Sequence, residues 1–288
     1  MKIVCDVLGV ARSNVQVRVH RPANWTDRRR NRRARDDAEL VAEITHEIAG
    51  LPSYGYRRAW ALVNRRRHGE GRRPVNHKRV YRVMRDCRLL LRRHTGRPID
   101  TRSHDGRIAV SESNRRWCSD GFEIACDNRE RVRVAFALDC CDREAMSWIS
   151  TTGSGISGDM VRDLMLEAVE TRFNGTAPTQ PIEWLTDNGS PYIARDTRSF
   201  AREIGLEPLT TAIRSPQSNG MAEAFVKTFK RDYVERMDRS DAVTVMRQLN
   251  AAFEHYNDVH PHSALKMQSP RMFRRRSAQS SVTACPEK

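Results

Sequence analysis

Three carboxylates in this 288-residue chain stand where side chains could converge to do chemistry. Asp120 lies in Trp117-Cys118-Ser119-Asp120, at the start of the first expected strand. Asp187 closes a buried-looking strand, Pro181 to Thr186, and leads into Asn188-Gly189-Ser190. Glu223 opens a helix after Ser215-Pro216-Gln217-Ser218-Asn219-Gly220, with 35 residues between it and Asp187. Strand ends and helix starts are where α/β folds collect functional groups. Phosphodiester transfer needs such a set: two divalent ions about 4 Å apart activate the incoming oxygen and stabilise the leaving one. Magnesium takes hard oxygen ligands, and its charge offsets the repulsion between the carboxylates. Lys227 and Lys230, four and seven residues beyond Glu223, share its helix face. A cation there could hold a phosphate, although a Glu–Lys pair at that spacing is also an ordinary surface ion pair.

The elements that would position these groups follow from periodicity. Val132, Val134, Phe136 and Leu138 alternate as in a strand, Ala145 to Ser150 is a second, and Leu206 to Thr210 a last short one. Met160, Val161, Leu164, Met165, Ala168 and Val169 predict an amphipathic helix, and Phe200 to Ile204 belong to another. Strands followed by strand–helix alternation predict an α/β domain with a mixed sheet. A helical tail follows, striped by Val245, Met246, Leu249, Phe253 and Tyr256. Asp139 and Asp142, which follow a strand, read as structural. His255, His260 and His262 read as a packing and capping motif rather than a metal cluster.

The charge is divided unevenly. The chain carries 51 basic and 36 acidic residues; 25 and 10 of them fall in residues 1–100, and 26 of each in 101–288. A localised excess of this kind, mostly arginine, suits bidentate contact with phosphates. After an opening unit (1–22) and the basic run Asp27–Arg33, three helices are expected. The first carries Leu40, Val41, Ile44 and Ile48, and Gly50-Leu51-Pro52 ends it. The second carries Tyr56, Ala59, Trp60 and Val63, then Arg65, Arg66 and Arg67. The third starts at the N-cap Asn76 and carries Val80, Tyr81 and Met84. This is the make-up of a helix-turn-helix-like module. Asn76, His77, Lys78, Arg79 and Arg82 would face a DNA groove, and Arg65–Arg67 would grip the backbone. A small bundle with basic solvent faces would have the same composition. The seven cysteines are scattered without a C-x-x-C pair, as in a reduced protein. Residues 1–10 lack the make-up of a secretory signal, and no apolar run reaches a membrane span. A cytoplasmic, nucleoid-associated location is expected.

Leu185-Thr186-Asp187-Asn188-Gly189-Ser190, Ser215–Gly220 and Ala222-Glu223-Ala224-Phe225, with their spacing and Lys230, resemble the acidic-triad pattern of the retroviral-integrase superfamily. Tyr256-Asn257-Asp258-Val259-His260-Pro261-His262-Ser263-Ala264-Leu265, followed by Ser269-Pro270, is similar to the C-terminal motif of OrfB-type transposases of insertion sequence family three. Phe136–Ala145 looks closest to the branch of insertion sequence two. The resemblance covers roughly residues 35–275. It implies a ribonuclease-H-like core with Asp120, Asp187 and Glu223 as ligands of Mg2+ or Mn2+, Lys230 as basic partner, and a helix-turn-helix-like module before it. It implies double-stranded DNA partners (insertion-sequence ends and target), cleavage and 3′-hydroxyl strand transfer, a homo-oligomer on DNA, and fusion or association with an upstream reading-frame product. The zinc-binding His-His-Cys-Cys spacing of retroviral integrases is missing, so no structural zinc is expected. The corresponding organisation is an N-terminal arm and basic linker (1–35), the helical module (36–92), a linker (93–113), the catalytic core with C-terminal helices (114–275) and a flexible tail (276–288). A non-catalytic DNA-binding accessory fragment that requires the upstream frame is the alternative, and a nuclease acting on RNA–DNA hybrids is a third reading.

Overall fold

Alternating apolar side chains build the sheet on which the carboxylates stand. In this computed structural model, which describes residues 2–22, 25, 37–92, 109–210 and 220–283, with side chains to 279, β1 (Arg116–Ala125), β2 (Arg131–Asp139) and β3 (Ala145–Thr151) form an antiparallel meander. β4 (Ile182–Thr186) pairs parallel with β1, and β5 (Leu206–Thr210) parallel with β4. The sheet is therefore mixed, in the order β3-β2-β1-β4-β5, with β1 at its centre. Parallel neighbours need crossovers. α6 (Gly158–Phe173) links β3 to β4, and α7 (Ser190–Ile193) and α8 (Arg195–Glu203) link β4 to β5. The basic run Asp27–Arg33 and the segment Ser215–Asn219 lie outside the described residues.

The period of two sends the apolar side chains of the strands to two packed faces. Cys118, Phe122, Val134, Phe136 and Leu185 face α9 (Gly220–Asp232) and α10 (Ala242–Asp258), which contribute Phe225, Phe229, Leu249, Phe253 and Tyr256. Trp117, Ala135, Ala137 and Trp184 face Val161, Leu164, Met165 and Ala168 of α6 and Ala201 of α8. Gly205, at φ +84°, turns the chain from α8 into β5; a Cβ there would meet Pro178 at 3.0 Å.

Two expectations are corrected. Asp120 is the fifth residue of β1, opposite Phe136 of β2, not at the strand's start. The tail is helical well past residue 276: α11 runs Pro270–Thr283, and Arg271 ties it to Glu144, Glu254 and Asp258 while Arg274 reaches Glu144.

α3 (Ala38–Ile48), α4 (Tyr56–Gly69) and α5 (His77–Asp86) close over Leu40, Ile44, Ala59, Leu62, Val80, Val83 and Met84. Asn76 caps α5, its side chain accepting from the Lys78 N–H at 2.8 Å. Tyr81, read as part of the apolar stripe, is 42% exposed and stacks edge-on against Tyr56. The chain divides into two units, Met1–Glu39 and Leu40–Lys288, so most of the helical module belongs with the core. The first unit has α1 (Lys2–Val7) and α2 (Arg12–Val19), joined by a turn at Gly9. Among the described residues no helix is long and apolar enough to cross a membrane.

Candidate active site

Strand register brings the two aspartates together. β1 and β4 pair as Trp117↔Trp184 and Cys118↔Leu185. Asp120 and Asp187 each lie two residues beyond that last pair, on the side of the sheet to which Cys118 and Leu185 point. α9 crosses the same face, with Ala222, Phe225 and Phe229 buried against the sheet, and carries Glu223 in its first turn. Asp120 senses the other two carboxylates. Burial first, then the charges of Asp187 and Glu223, hold the Asp120 carboxyl above its ordinary value, against the stabilising Gly121 N–H, which donates to Oδ1 at 2.7 Å.

Each carboxylate also has a local partner. Asp187 Oδ1 accepts from the Gly189 N–H at 3.0 Å. A Cβ at position 189 would stand 3.0 Å from that oxygen, so any larger residue there would press on the Asp187 carboxylate. Glu223 pairs with Lys227 at 3.8 Å. Lys230 lies further along α9, its ammonium 5.7 Å from the ring of Phe122, two residues beyond Asp120 on β1. Among the described residues no three His, Cys, Asp or Glu side chains sit close enough to hold a metal ion as placed. The two observations agree, because Coulomb coupling acts over several ångströms whereas a magnesium–oxygen bond is about 2.0–2.1 Å long. The donor set itself, three hard carboxylates with one on β1 and one just past the end of β4, suits Mg2+ or Mn2+ rather than a softer ion.

Sequence reasoning passed over the support beneath these groups. The Tyr192 hydroxyl of α7 lies 2.9 Å from Ser119 Oγ. Burial raises its phenol, opposed by the Ser119 hydrogen bond and aided by the charges of Asp120 and Asp187. An aromatic residue five positions after Asp187, in a chain reversal behind the strand, was the available signal.

The basic candidates part company. Consecutive residues on a helix are about 100° apart, so Arg65, Arg66 and Arg67 cannot face one backbone together. Arg65 donates to the Val259 carbonyl at 2.9 Å, and Arg67 grips buried Glu43 through two bonds of 2.7 and 3.1 Å. Burial of Glu43 is outweighed by Arg67 and Arg72, which hold it below its ordinary value. Only Arg66 of the three points outward, in ion pairs with Glu70 and Glu47. On α5, Asn76 and Lys78 are exposed, and Arg79 and Arg82 are half-buried.

Asp139 and Asp142 are fully buried and serve the fold. Arg172 of α6 bridges Asp139, Asp142 and Glu144 at 3.0–3.4 Å. Burial and the Asp142 charge push Asp139 up to about 6, against the pull of Arg172. His260 is buried in a hydrogen-bonded cluster with Tyr54 and Tyr233, and His255 also bonds to Tyr233. The six described cysteines are free thiols.

The integrase core domain family matches residues 110–216, a second integrase core domain family residues 204–270, and the HTH-like domain family residues 32–97. Transposase InsD for insertion element IS2A/D/F/H/I/K of Escherichia coli is 54% identical over 278 residues, covering 96% of this chain and 92% of that protein. The chain belongs to the transposases of insertion sequence family three. Transposase InsD for insertion element IS2D of Escherichia coli (strain K12) matches this transposase with the same identity and coverage, 54%, 96% and 92%. The transposase has a ribonuclease-H-like integrase core, preceded by a helix-turn-helix-like region and followed by helices. Among solved structures it is similar to the simian T-cell lymphotropic virus intasome in complex with PP2A regulatory subunit B56 gamma (15% identity, TM-score 0.48, 83% of this chain, 74% of that one). It is also similar to the catalytic core domain of BIV integrase (15% identity, TM-score 0.42, 59% of this chain, 99% of that one).

Proposed function

We propose that this transposase cuts and joins DNA strands at the ends of its insertion element by direct transesterification, with Asp120, Asp187 and Glu223 as the catalytic carboxylates. The observation that supports the reading is the parallel register of β1 and β4, whose last pair, Cys118↔Leu185, precedes each aspartate by two residues, with Glu223 in the first turn of α9. The same three groups would hold Mg2+ or Mn2+. Such ions, when bound, activate an oxygen nucleophile and offset the charge of the transferred phosphoryl. Lys227 and Lys230, on the same helix, would hold the scissile strand's phosphates, and Tyr192 with Ser119 would keep the aspartates' strand ends in place. Asn76, Lys78, Arg79 and Arg82 would engage end DNA. No side chain is needed as a nucleophile, so a 3′ hydroxyl attacking near the other end of the same strand would give a branched figure-eight without a covalent enzyme–DNA link. The reading includes a homo-oligomer on DNA and association with an upstream reading-frame product. Ile3, Val7 and Leu8 of the N-terminal unit, 78%, 79% and 67% exposed, support an apolar contact there.

Replacing Asp120 or Asp187 with Asn, or Glu223 with Gln, is expected to abolish joining by at least about 100-fold, as loss of a group acting only in the transition state does, while end DNA is still bound. Mg2+ and Mn2+ are expected to support joining and Ca2+ to fail, its longer and looser coordination placing the oxygens poorly. Gel shift and a joining assay on end DNA check both; an active Glu223→Gln chain, or a phosphoserine or phosphotyrosine adduct, overturns the mechanism.

A further inference from the structure

The helical module meets the glutamate-bearing helix at a buried polar joint that neither the chemistry nor DNA contact explains. Asp232, the last residue of α9, is fully buried. Its Oδ2 accepts from Arg58 Nη1 of α4 at 2.9 Å, and Arg231 donates to both its oxygens at 2.7 Å. Beside it the hydroxyl of buried Tyr54 lies 2.7 Å from His260 Nδ1, and that nitrogen is 4.0 Å from Asp232 Oδ2. Tyr233 bridges His255 at 3.0 Å and His260 at 3.5 Å. The Arg58 guanidinium stands 5.1 Å above the Tyr54 ring. The partners are remote in sequence: Tyr54 is 206 residues from His260, and Arg58 is 174 from Asp232.

Polar groups withdrawn from water are costly unless each finds its partner in good geometry. A joint made of them accepts one arrangement, whereas apolar packing tolerates sliding. Asp232 lies nine positions after Glu223 along one helix, about 13 Å of rigid rod. A displacement at Asp232 is therefore carried to Glu223, and misplacing a reacting group by about 1 Å can cost 100-fold.

We infer that Tyr54, Arg58, Asp232 and His260 are positioning residues, through which the docked helical module sets the placement of α9 and so of Glu223 against Asp120 and Asp187. The inference rests on Glu223 being a catalytic carboxylate. It also accounts for Arg65, which binds the Val259 carbonyl beside the same joint rather than standing free for DNA.

The test uses the full chain. In Arg58→Gln and in Tyr54→Phe, amide hydrogen exchange over residues 220–232 of the free protein should accelerate about tenfold or more while β2 is unchanged, as for a local opening. Joining at saturating end DNA should fall by about 10- to 100-fold, with end affinity altered less than about threefold. Arg58→Lys, which keeps the cation, should restore part of the rate. The double variant Arg58→Gln/Asp232→Asn should be no slower than Asp232→Asn alone. Should Asp232→Asn fail to fold, Tyr54→Phe, which loses one hydroxyl and keeps its ring, decides the matter with Arg58→Gln. Wild-type exchange of α9 in both of those variants, or losses that simply multiply in the double variant, would overturn the inference. A fully active Glu223→Gln chain would instead remove the catalytic reading and leave the exchange result standing.

Discussion

Asp120 costs the free protein stability at neutral pH. Burial, Asp187 and Glu223 raise its folded-state value above the ordinary one, so the folded chain holds its proton more tightly than the unfolded chain does. The sign follows from linkage: the stability is fully present below the unfolded value and is lost as pH rises through the folded one. At pH 7.5, in the presence of EDTA, Asp120→Asn is therefore expected to melt higher than the natural chain, by roughly 2–4 °C for each kcal/mol relieved. The difference should shrink toward pH 4. Mg2+ should raise the melting temperature of the natural chain and leave that of the variant nearly unchanged. Thermal denaturation at the two pH values, with and without Mg2+, measures this; a variant that melts lower at pH 7.5 excludes mutual repulsion among the three groups.

At the level of elements, the buried charge at the β2–β3 turn ties α6 and α11 to the sheet. Arg172 is the shared counter-ion of Asp139, Asp142 and Glu144, all almost without solvent access. Arg172→Met would strand Asp139 and Asp142, while Glu144 keeps Arg271 and Arg274, and breaking a buried pair from one side costs about 3–5 kcal/mol. The loss should be smaller at pH 5 than at pH 8. Asp139, already pushed up to about 6, would rise further without the guanidinium and be neutral at the lower pH. Denaturant titration at both pH values checks this, and an equal loss at both would mean that packing rather than charge is what Arg172 supplies. Such networks explain what was legible in the sequence. β4, β5 and the first turn of α9 were readable because apolar period and turn chemistry agree there, and Asp187 and Glu223 fall at their ends. Asp120 was harder to place, since Trp117–Ser119 are buried on both faces and the alternation of β1 sets in only after Asp120, so nothing marks where the strand starts. The Arg65–Arg67 run misled because a charge run says nothing about helical phase, and only the fold reveals that Arg67 faces Glu43. Tyr81 shows the same ambiguity in reverse: its apolar ring matched the stripe, yet it sits on the open side of α5.

Over the whole molecule the charge is partitioned from the chemistry. All of the net charge of +15 falls before residue 101, and the segment with the three carboxylates is neutral. If the helical region supplies the phosphate contacts, five to eight neutralised phosphates would make end-DNA affinity fall with salt at a log–log slope of roughly −5 to −7. The structure refines which substitutions should alter it. Arg66→Gln should weaken binding to all sequences alike and flatten the slope by about 1. Arg67→Gln should chiefly lower stability, because it leaves Glu43 with less of its counter-charge. Lys78→Ala and Arg82→Ala should reduce the preference for element ends over unrelated duplex, since base-edge contacts carry specificity. Lys230→Ala, next to β1 in the neutral core, should change affinity little and slow joining, because it acts on one phosphate among many. Titrations of the full chain with end and unrelated duplex at several salt concentrations distinguish these cases. The partition fails if Lys227→Ala and Lys230→Ala remove most of the affinity, or if the slope is indifferent to every basic residue of α4 and α5.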